Sequence, residues 1–351
     1  MSLPPSEIPQ GAIRFNTDSQ RLEFYAQGEW WVMSTDTPNL GTSGDSTPGG
    51  RGLFGGGRLG SPSPGTLSDT IDYINIASTG DAIDFGNLTV ARRRVSACAS
   101  STRGLWGGGY SPDKDTIDFV TIASTGNATD FGNLSVSRRT PGSTSNATRG
   151  IWAGGTQGAG AGTFQDVIDY VTIAATGNAV DFGNLTVARD GVGGCGNSVR
   201  GIFAGAYITP GRSNIMDFIT ITTLGNATDF GDLTVNRSQT PGASSPIRGV
   251  WAGGYTSPGS PGAVDTIDYV QIMSTGNAMD FGDLSTSFSP YANGISNCIR
   301  AVFGGGYIAS PGRTNRIEYV NISTQGNAVD FGDRTVSHAS GGACSNSHGG
   351  L

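Results

Sequence analysis

The triplet Asp-Phe-Gly occurs six times, at Asp84-Phe85-Gly86, Asp130-Phe131-Gly132, Asp181-Phe182-Gly183, Asp229-Phe230-Gly231, Asp280-Phe281-Gly282 and Asp330-Phe331-Gly332. Successive copies stand 46, 51, 48, 51 and 50 residues apart. A period near 50 residues means a repeat architecture, in which no unit buries its apolar face alone and neighbours stack to make the core. Six Arg-led segments keep the same rhythm, starting at Arg51, Arg103, Arg149, Arg200, Arg248 and Arg300.

Repeat two shows the whole unit. It runs Arg103-Gly104-Leu105-Trp106-Gly107-Gly108-Gly109, then Ile117-Asp118-Phe119-Val120-Thr121-Ile122, then Thr125-Gly126-Asn127-Ala128-Thr129-Asp130-Phe131-Gly132-Asn133-Leu134, and closes on Pro141-Gly142-Ser143-Thr144-Ser145. Residues 104–109 read as a strand ending in glycines. Residues 116–123 are β-rich and apolar on both faces, as in a sheet covered on both sides. Thr125-Gly126 reads as a tight turn with glycine at positive φ. Residues 129–136 form the next strand, anchored by Phe131 and Leu134, and a Ser/Gly/Ala-rich strand follows Arg138. Four antiparallel strands per unit without helical periodicity describe a propeller blade. The first repeat opens at Arg51 with no small-residue strand before it, and the last ends on Ser340-Gly341-Gly342-Ala343-Cys344-Ser345-Asn346 with no Arg-led strand after it. The expected fold is all-β: a six-bladed propeller over 51–351, with residues near 338–346 pairing beside 51–57 so that no edge is left free.

The first 36 residues do not share the repeat. Residues 11–15, 21–25 and 29–33 read as three short strands, divided by turns at Asn16-Thr17-Asp18-Ser19 and Gln27-Gly28. So small a meander is marginal alone, so it is expected to pack on a partner, a copy of itself or the main domain. Residues 37–50 have linker composition.

Composition narrows the function classes. A formal charge of −7 argues against nucleic acid, whose phosphates need a net basic face. No apolar run approaches 18 residues, so no membrane insertion is expected. No apolar stretch follows Met1-Ser2-Leu3-Pro4-Pro5, so no secretory signal is expected there, and the eight Asn-x-Ser/Thr sequons are a by-product of the repeat. Cys98 and Cys195 each fall five residues before an Arg, where other repeats have Thr144 or Ala243. That is a small-residue slot, and free, buried cysteines are expected in a chain assembled in a reducing compartment.

A strand ending in a glycine doublet, Tyr or Phe in the next strand, an aromatic in the third and an Arg a few residues on resemble the kelch repeat, over about 51–351. The chain departs where kelch usually has Trp, with Phe85, Phe131, Phe182, Phe230, Phe281 and Phe331 in that slot, and the Arg lapses to Phe288 and His338. This version of the repeat is similar to repeat proteins of bacteriophage virions, particularly phages of marine cyanobacteria. The N-terminal Gly11-Ala12-Ile13-Arg14-Phe15-Asn16-Thr17 with Leu22-Glu23-Phe24-Tyr25 and Trp30 resembles a module common in phage tail-fibre proteins. The resemblance implies a virion structural protein assembled in the host cytoplasm, tied to other virion proteins through residues 1–36.

Signals of chemistry are weak. Asp-Phe-Gly coincides with the metal-binding triplet of protein kinases, but no His-Arg-Asp or β3 lysine accompanies it. The glycine triplets lack the Gly-Lys-Ser/Thr ending of a phosphate loop. Asp72, Asp118, Asp169, Asp217, Asp268 and Glu318 recur in register; such a residue commonly accepts bonds from amides or from a repeated Arg, the alternative being a ring for cations. His338 and His348 are the only histidines, and no triad can be assembled around them. A paired-carboxylate glycosidase needs two acids outside the repeat, and only Asp190 and Asp113-Lys114-Asp115 qualify. No catalytic residue, metal ligand or cofactor is assigned.

Repeat-to-repeat variation locates a candidate face. The connection from third to fourth strand is nearly fixed, as in Ser124-Thr125-Gly126-Asn127 and Ala175-Thr176-Gly177-Asn178. The connection after the glycines and the one after the fourth strand vary widely, and antiparallel geometry puts both on one side. Loops carry binding while sheets carry stability. Tyr110, Tyr207, Tyr255, Tyr307 and Tyr291, with Arg94, Arg139 and Arg313, are expected to line that face and to contact a host-surface glycan or protein. The competing structural role for the tyrosines is covering the ends of neighbouring sheets. Two rival functions stay open: a polysaccharide-degrading enzyme, and a purely architectural particle protein.

Overall fold

The computed structural model describes residues 8–9, 11–16, 21–32, 50–59, 65–158, 162–256, 262–286, 294–308 and 312–351. The chain divides into two units, Met1–Pro48 and Gly49–Leu351. The expected linker falls almost wholly outside the described residues.

In the first unit the three strands Ile13–Asn16, Arg21–Ala26 and Glu29–Val32 form an antiparallel meander, as the alternation predicts. Gln27 (φ 54°) and Gly28 (φ 83°) make the two-residue turn, whose twist matches that of the strands it joins. One face carries Tyr25 edge-on to Trp30 at 5.3 Å and Arg14 over Trp30 at 4.1 Å. Arg14 and Asn16 both donate to Glu23. Ile13, Phe15 and Phe24 are exposed, with Ile13 and Phe24 directly opposed across the strands.

The second unit is all-β: among the described residues it has six large antiparallel sheets, five of four strands and the sixth assembled from both ends of the unit, and a two-stranded ribbon of Thr156–Gln157 with Thr163–Phe164. In repeat two the order is Ser96–Ala99, Arg103–Gly107, Thr116–Thr121, Thr129–Asn133. The fourth strand stops at Asn133, short of the expected Val136, because Leu134 donates its amide to Asp115 O at 2.7 Å and turns into the core. In the sixth sheet Gly342–Ser345 pairs with Gly55 to Gly52, and His338–Ala339 with Leu59 and Arg58. The expected pairing of the two ends is therefore present, on a strand that reaches Leu59.

Side chains from consecutive sheets make the core. Leu105, Ile117, Phe131 and Leu134 of repeat two close on Trp152, Val171 and Ile173 of repeat three. Every Asp-Phe-Gly phenylalanine is buried, and five meet an aromatic of their own third strand edge-on, as Phe131 meets Phe119 at 5.8 Å. Phe331 meets Tyr319 in the same way. Trp106 and Trp152 are fully buried and donate to backbone oxygens of the preceding repeat, Gly342 and Ser96. The first strands lie so close together that a Cβ on Gly194 would stand 2.2 Å from Ser143 O, which accounts for their Ser/Gly/Ala composition. Ser143, Ser145, Ser244, Ser296 and Ser345 each donate to a backbone oxygen of the first strand before their own.

Three further links recur between sheets. The mid-strand acids accept from a buried arginine of the preceding repeat: Arg92–Asp118, Arg138–Asp169, Arg189–Asp217 and Arg237–Asp268, at 2.9–3.1 Å with both partners fully buried. The leading arginines reach forward, Arg103 to Ile173 O at 3.0 Å and Arg300 to Ile76 O at 3.1 Å. The fixed connection clips onto the preceding Asp-Phe-Gly strand, as Gly177 N donates to Phe131 O at 2.8 Å. A Cβ on Gly132 (φ 147°) would stand 2.3 Å from Gly177 O, so the triplet needs its glycine.

Repeat six solves the arginine lapse by a swap. Arg334 occupies the slot that Leu134 fills in repeat two, and its guanidinium reaches Asp72 at 3.3 Å. His338 stands where Arg138 does, fully buried, bonded to Val336 O and Ser68 Oγ at 3.0 Å each. In repeat six Glu318 is served by Arg316 at 3.2 Å; the other lapse, Phe288, lies outside the described residues.

Candidate functional site: the face of the variable connections

The two variable connections emerge together because they are hydrogen-bonded to each other. The residue after each buried arginine pairs with the residue after the glycines: Arg93 with Tyr110, Arg139 with Thr156, Asp190 with Tyr207, Ser238 with Tyr255. One residue further on, the backbone enters the left-handed region at Arg94 (57°), Thr140 (53°), Gly191 (68°), Gln239 (58°) and Ser340 (64°). A side chain in that region costs on the order of 1–3 kcal/mol, yet only repeat three of these five uses glycine. Arg94 N donates to Ser340 O, Thr140 N to Arg94 O, and Gln239 N to Gly191 O, and these two linked runs make a collar at one end of the space between the first strands.

The other end of that space is occupied by the chain itself. His348 Nε2 lies 2.9 Å from Ala99 O and 3.2 Å from Ser145 Oγ, and Gly349 N donates to Ser244 O at 3.0 Å. Burial lowers the pKa of His348 and brings that of His338 down to about 3, where Arg334 adds to the effect.

The expected site residues divide into three groups. Tyr307 is 38 % exposed, and Arg94 is half-buried with its Nε turned in from solvent. Tyr110, Tyr207 and Tyr255 are half-buried and engaged: Arg93 and Arg139 stand over Tyr110 at 5.1 and 5.2 Å, and Arg212 stands over Tyr207 and Tyr255 at 5.7 and 5.9 Å. Arg139 and Arg313, expected as surface cations, are buried. Arg139 binds both oxygens of Asp113 at 2.8 and 3.1 Å and Gly158 O at 2.8 Å. Burial pushes the Arg313 pKa down, and neighbouring Arg58 adds to it. Their stems are consumed in packing the loop ends, as long cationic side chains often are. Tyr291 lies outside the described residues.

The residues missed are Arg212 and Gln239, and Asp190, singled out only as a carboxylate for glycoside chemistry, stands in this loop network. Asp190 accepts a hydrogen bond from Thr140 Oγ1. Burial raises its pKa, against the bonds from Thr140 and the charges of Arg94 and Arg139. No spacing in the sequence signals the contacts of Asp190, because each joins two repeats. Asp113 and Asp190, two of the three acids singled out as carboxylate candidates, are thus both tied to protein donors. The six repeated acids are likewise held by arginine or hydroxyl partners. Cys98, Cys195 and Cys344 are free and buried, as the small-residue slot predicts; Cys298 differs in being exposed. No helix among the described residues is long and apolar enough to cross a membrane. No protein-family model matches the chain, and a search of curated proteins returns no match.

Proposed function

We propose that the six sheets are the blades of a kelch-like, six-bladed propeller. On this reading the chain is a non-enzymatic structural protein of a bacteriophage virion, a tail fibre or appendage, contacting a host-surface glycan or protein. The propeller reading is supported by the order of contacts: each first strand touches the next, and Gly342–Ser345 touches both Gly294–Ser296 and Ser96–Ala99. The hydrophobic clusters follow the same circuit, the last joining Phe331 and Ile317 to Phe54 and Ile74.

One observation carries the attachment reading. The nearly fixed connections clip sheet to sheet along their whole length, whereas the divergent ones gather at the collar end, joined from sheet to sheet only at their bases by pairs such as Arg93 with Tyr110 and free to differ beyond them. Divergence confined to one end is what selection for a binding face produces. The exposed Ile13, Phe15 and Phe24 of the meander support a docking role for residues 1–36, on another virion protein or on a second copy. The non-enzymatic reading is supported by Asp113, whose two oxygens are both taken by Arg139.

A second reading has one observation in its favour. The arginine-stacked Tyr110, Tyr207 and Tyr255 cover loop ends, which is what a purely architectural particle protein without a ligand requires. Adsorption of the purified chain to host cells separates the two. Tyr307→Ala, which removes an exposed ring, is expected to weaken adsorption at an unchanged melting temperature. Absence of adsorption by the unaltered chain would establish the architectural reading instead.

A further inference from the structure

The collar encloses a cavity of about 40 Å³, lined by Arg94, Thr140, Pro141, Gly191, Gln239 and Pro241 among others. At about 10–15 Å³ for each water-sized position, it has room for one carboxylate and a neighbouring hydroxyl. Two polar atoms there are buried without any hydrogen-bond partner: Nε of Arg94 and Oε1 of Gln239. Buried polar groups are normally satisfied, and the backbone does not call for these side chains. Both stand at left-handed positions where repeat three has Gly191, and the Gln239 stem crosses over that glycine. The far end of the central space is filled by His348 and Gly349, so only the loop face opens onto the collar.

The two unpartnered atoms ask for different things. A guanidinium N–H takes an anion, and an amide oxygen takes a donor. The charged groups of this sector are Arg93, Arg94, Arg139 and Arg212 against Asp113 and Asp190, an excess of two positive charges in a chain of net charge −7. We infer that the collar cavity is a subsite for the carboxylate of an acidic sugar residue. Arg94 pairs with the carboxylate, and Gln239 Oε1 accepts from the adjacent hydroxyl. An Asp or Glu side chain of a peptide carries no such hydroxyl, and a neutral sugar supplies no anion to Arg94. The inference rests on the reading that this face contacts a surface glycan, and names the class of sugar.

The test is titration of the full chain with D-glucuronate, D-galacturonate and N-acetylneuraminate, with D-glucose and acetate as controls, followed by calorimetry or ligand-observed NMR. At least one acidic sugar is expected to bind saturably, tenfold or more tighter than glucose and acetate, and more weakly at high salt. Arg94→Gly is expected to lower that affinity at least tenfold without lowering the melting temperature, since glycine suits a φ of 57°. Gln239→Gly is expected to weaken the sugar and leave acetate unaffected. Binding of none of the three sugars, equal binding by acetate, or full affinity in Arg94→Gly each overturns the subsite. Sugar binding without adsorption to host cells sinks the attachment reading alone; adsorption undiminished in Arg94→Gly sinks the subsite alone.

Discussion

Repeat six permits a sharp test of what holds neighbouring sheets together, because it performs the repeat's central ion pair with its residues exchanged. Asp72 is fully buried and keeps Thr335 Oγ1 at 2.6 Å, and its only cation among the described residues is Arg334. Arg334→Leu restores the residue of the other repeats and strands that carboxylate. Removing one partner of a buried pair costs about 3–5 kcal/mol. The leucine returns about 1 kcal/mol at most, because the methylenes of Arg334 already fill the slot. A net loss of about 2–4 kcal/mol is therefore expected from urea midpoints and slopes, followed by tryptophan fluorescence. The double variant Arg334→Leu/His338→Arg puts the cation back where Arg138 stands in repeat two, and is expected to return to within about 1 kcal/mol of the parent. A single-variant loss below about 1 kcal/mol, or a double variant no more stable than the single, would refute the account.

Three other expectations follow from the same contacts. His338 is held neutral with a pKa of about 3 against an ordinary value near 6.5, so its contribution is full above pH 6.5 and is lost as only the unfolded chain takes up the proton. Between pH 6.5 and 5, above the carboxylate range, stability should fall by about 2 kcal/mol, with His348 adding in the same direction, and His338→Gln should flatten urea midpoints across that window. Gly132→Ala, which drives a Cβ to 2.3 Å from Gly177 O, should cost about 3 kcal/mol or more, whereas Gly126→Ala, with open space around it, should cost about 1–2 kcal/mol; equal losses would contradict the clip between sheets. Phe131→Ala should cost about 3–5 kcal/mol by opening a cavity between repeats two and three, and a loss on the scale of a surface substitution would deny it a core role.

The repeat unit was legible in the sequence because period-2 patterning, turn glycines and apolar anchors are local properties. Four strands per unit, the buried Phe and Leu anchors, and the pairing of 342–345 with 52–55 all follow from that register. The common side of the variable connections was legible too, since antiparallel order alone dictates it. What the tertiary structure decided lies between repeats. Which residue satisfies Asp72 depends on Arg334 and His338 having exchanged tasks, and no spacing within one repeat reveals that. The fixed connection reads as a tight turn, yet its constancy comes from Gly177 docking on Phe131 of another repeat. Arg139 and Arg313 read as surface charges until the packing of adjacent loops buries their stems. Gln239 looks like an ordinary loop residue, and Arg94 like a surface cation, until several repeats bring them to one collar with buried atoms left unpaired. Local sequence sets backbone preference and burial tendency; partners that lie about 50 residues or more away are chosen only when the sheets meet.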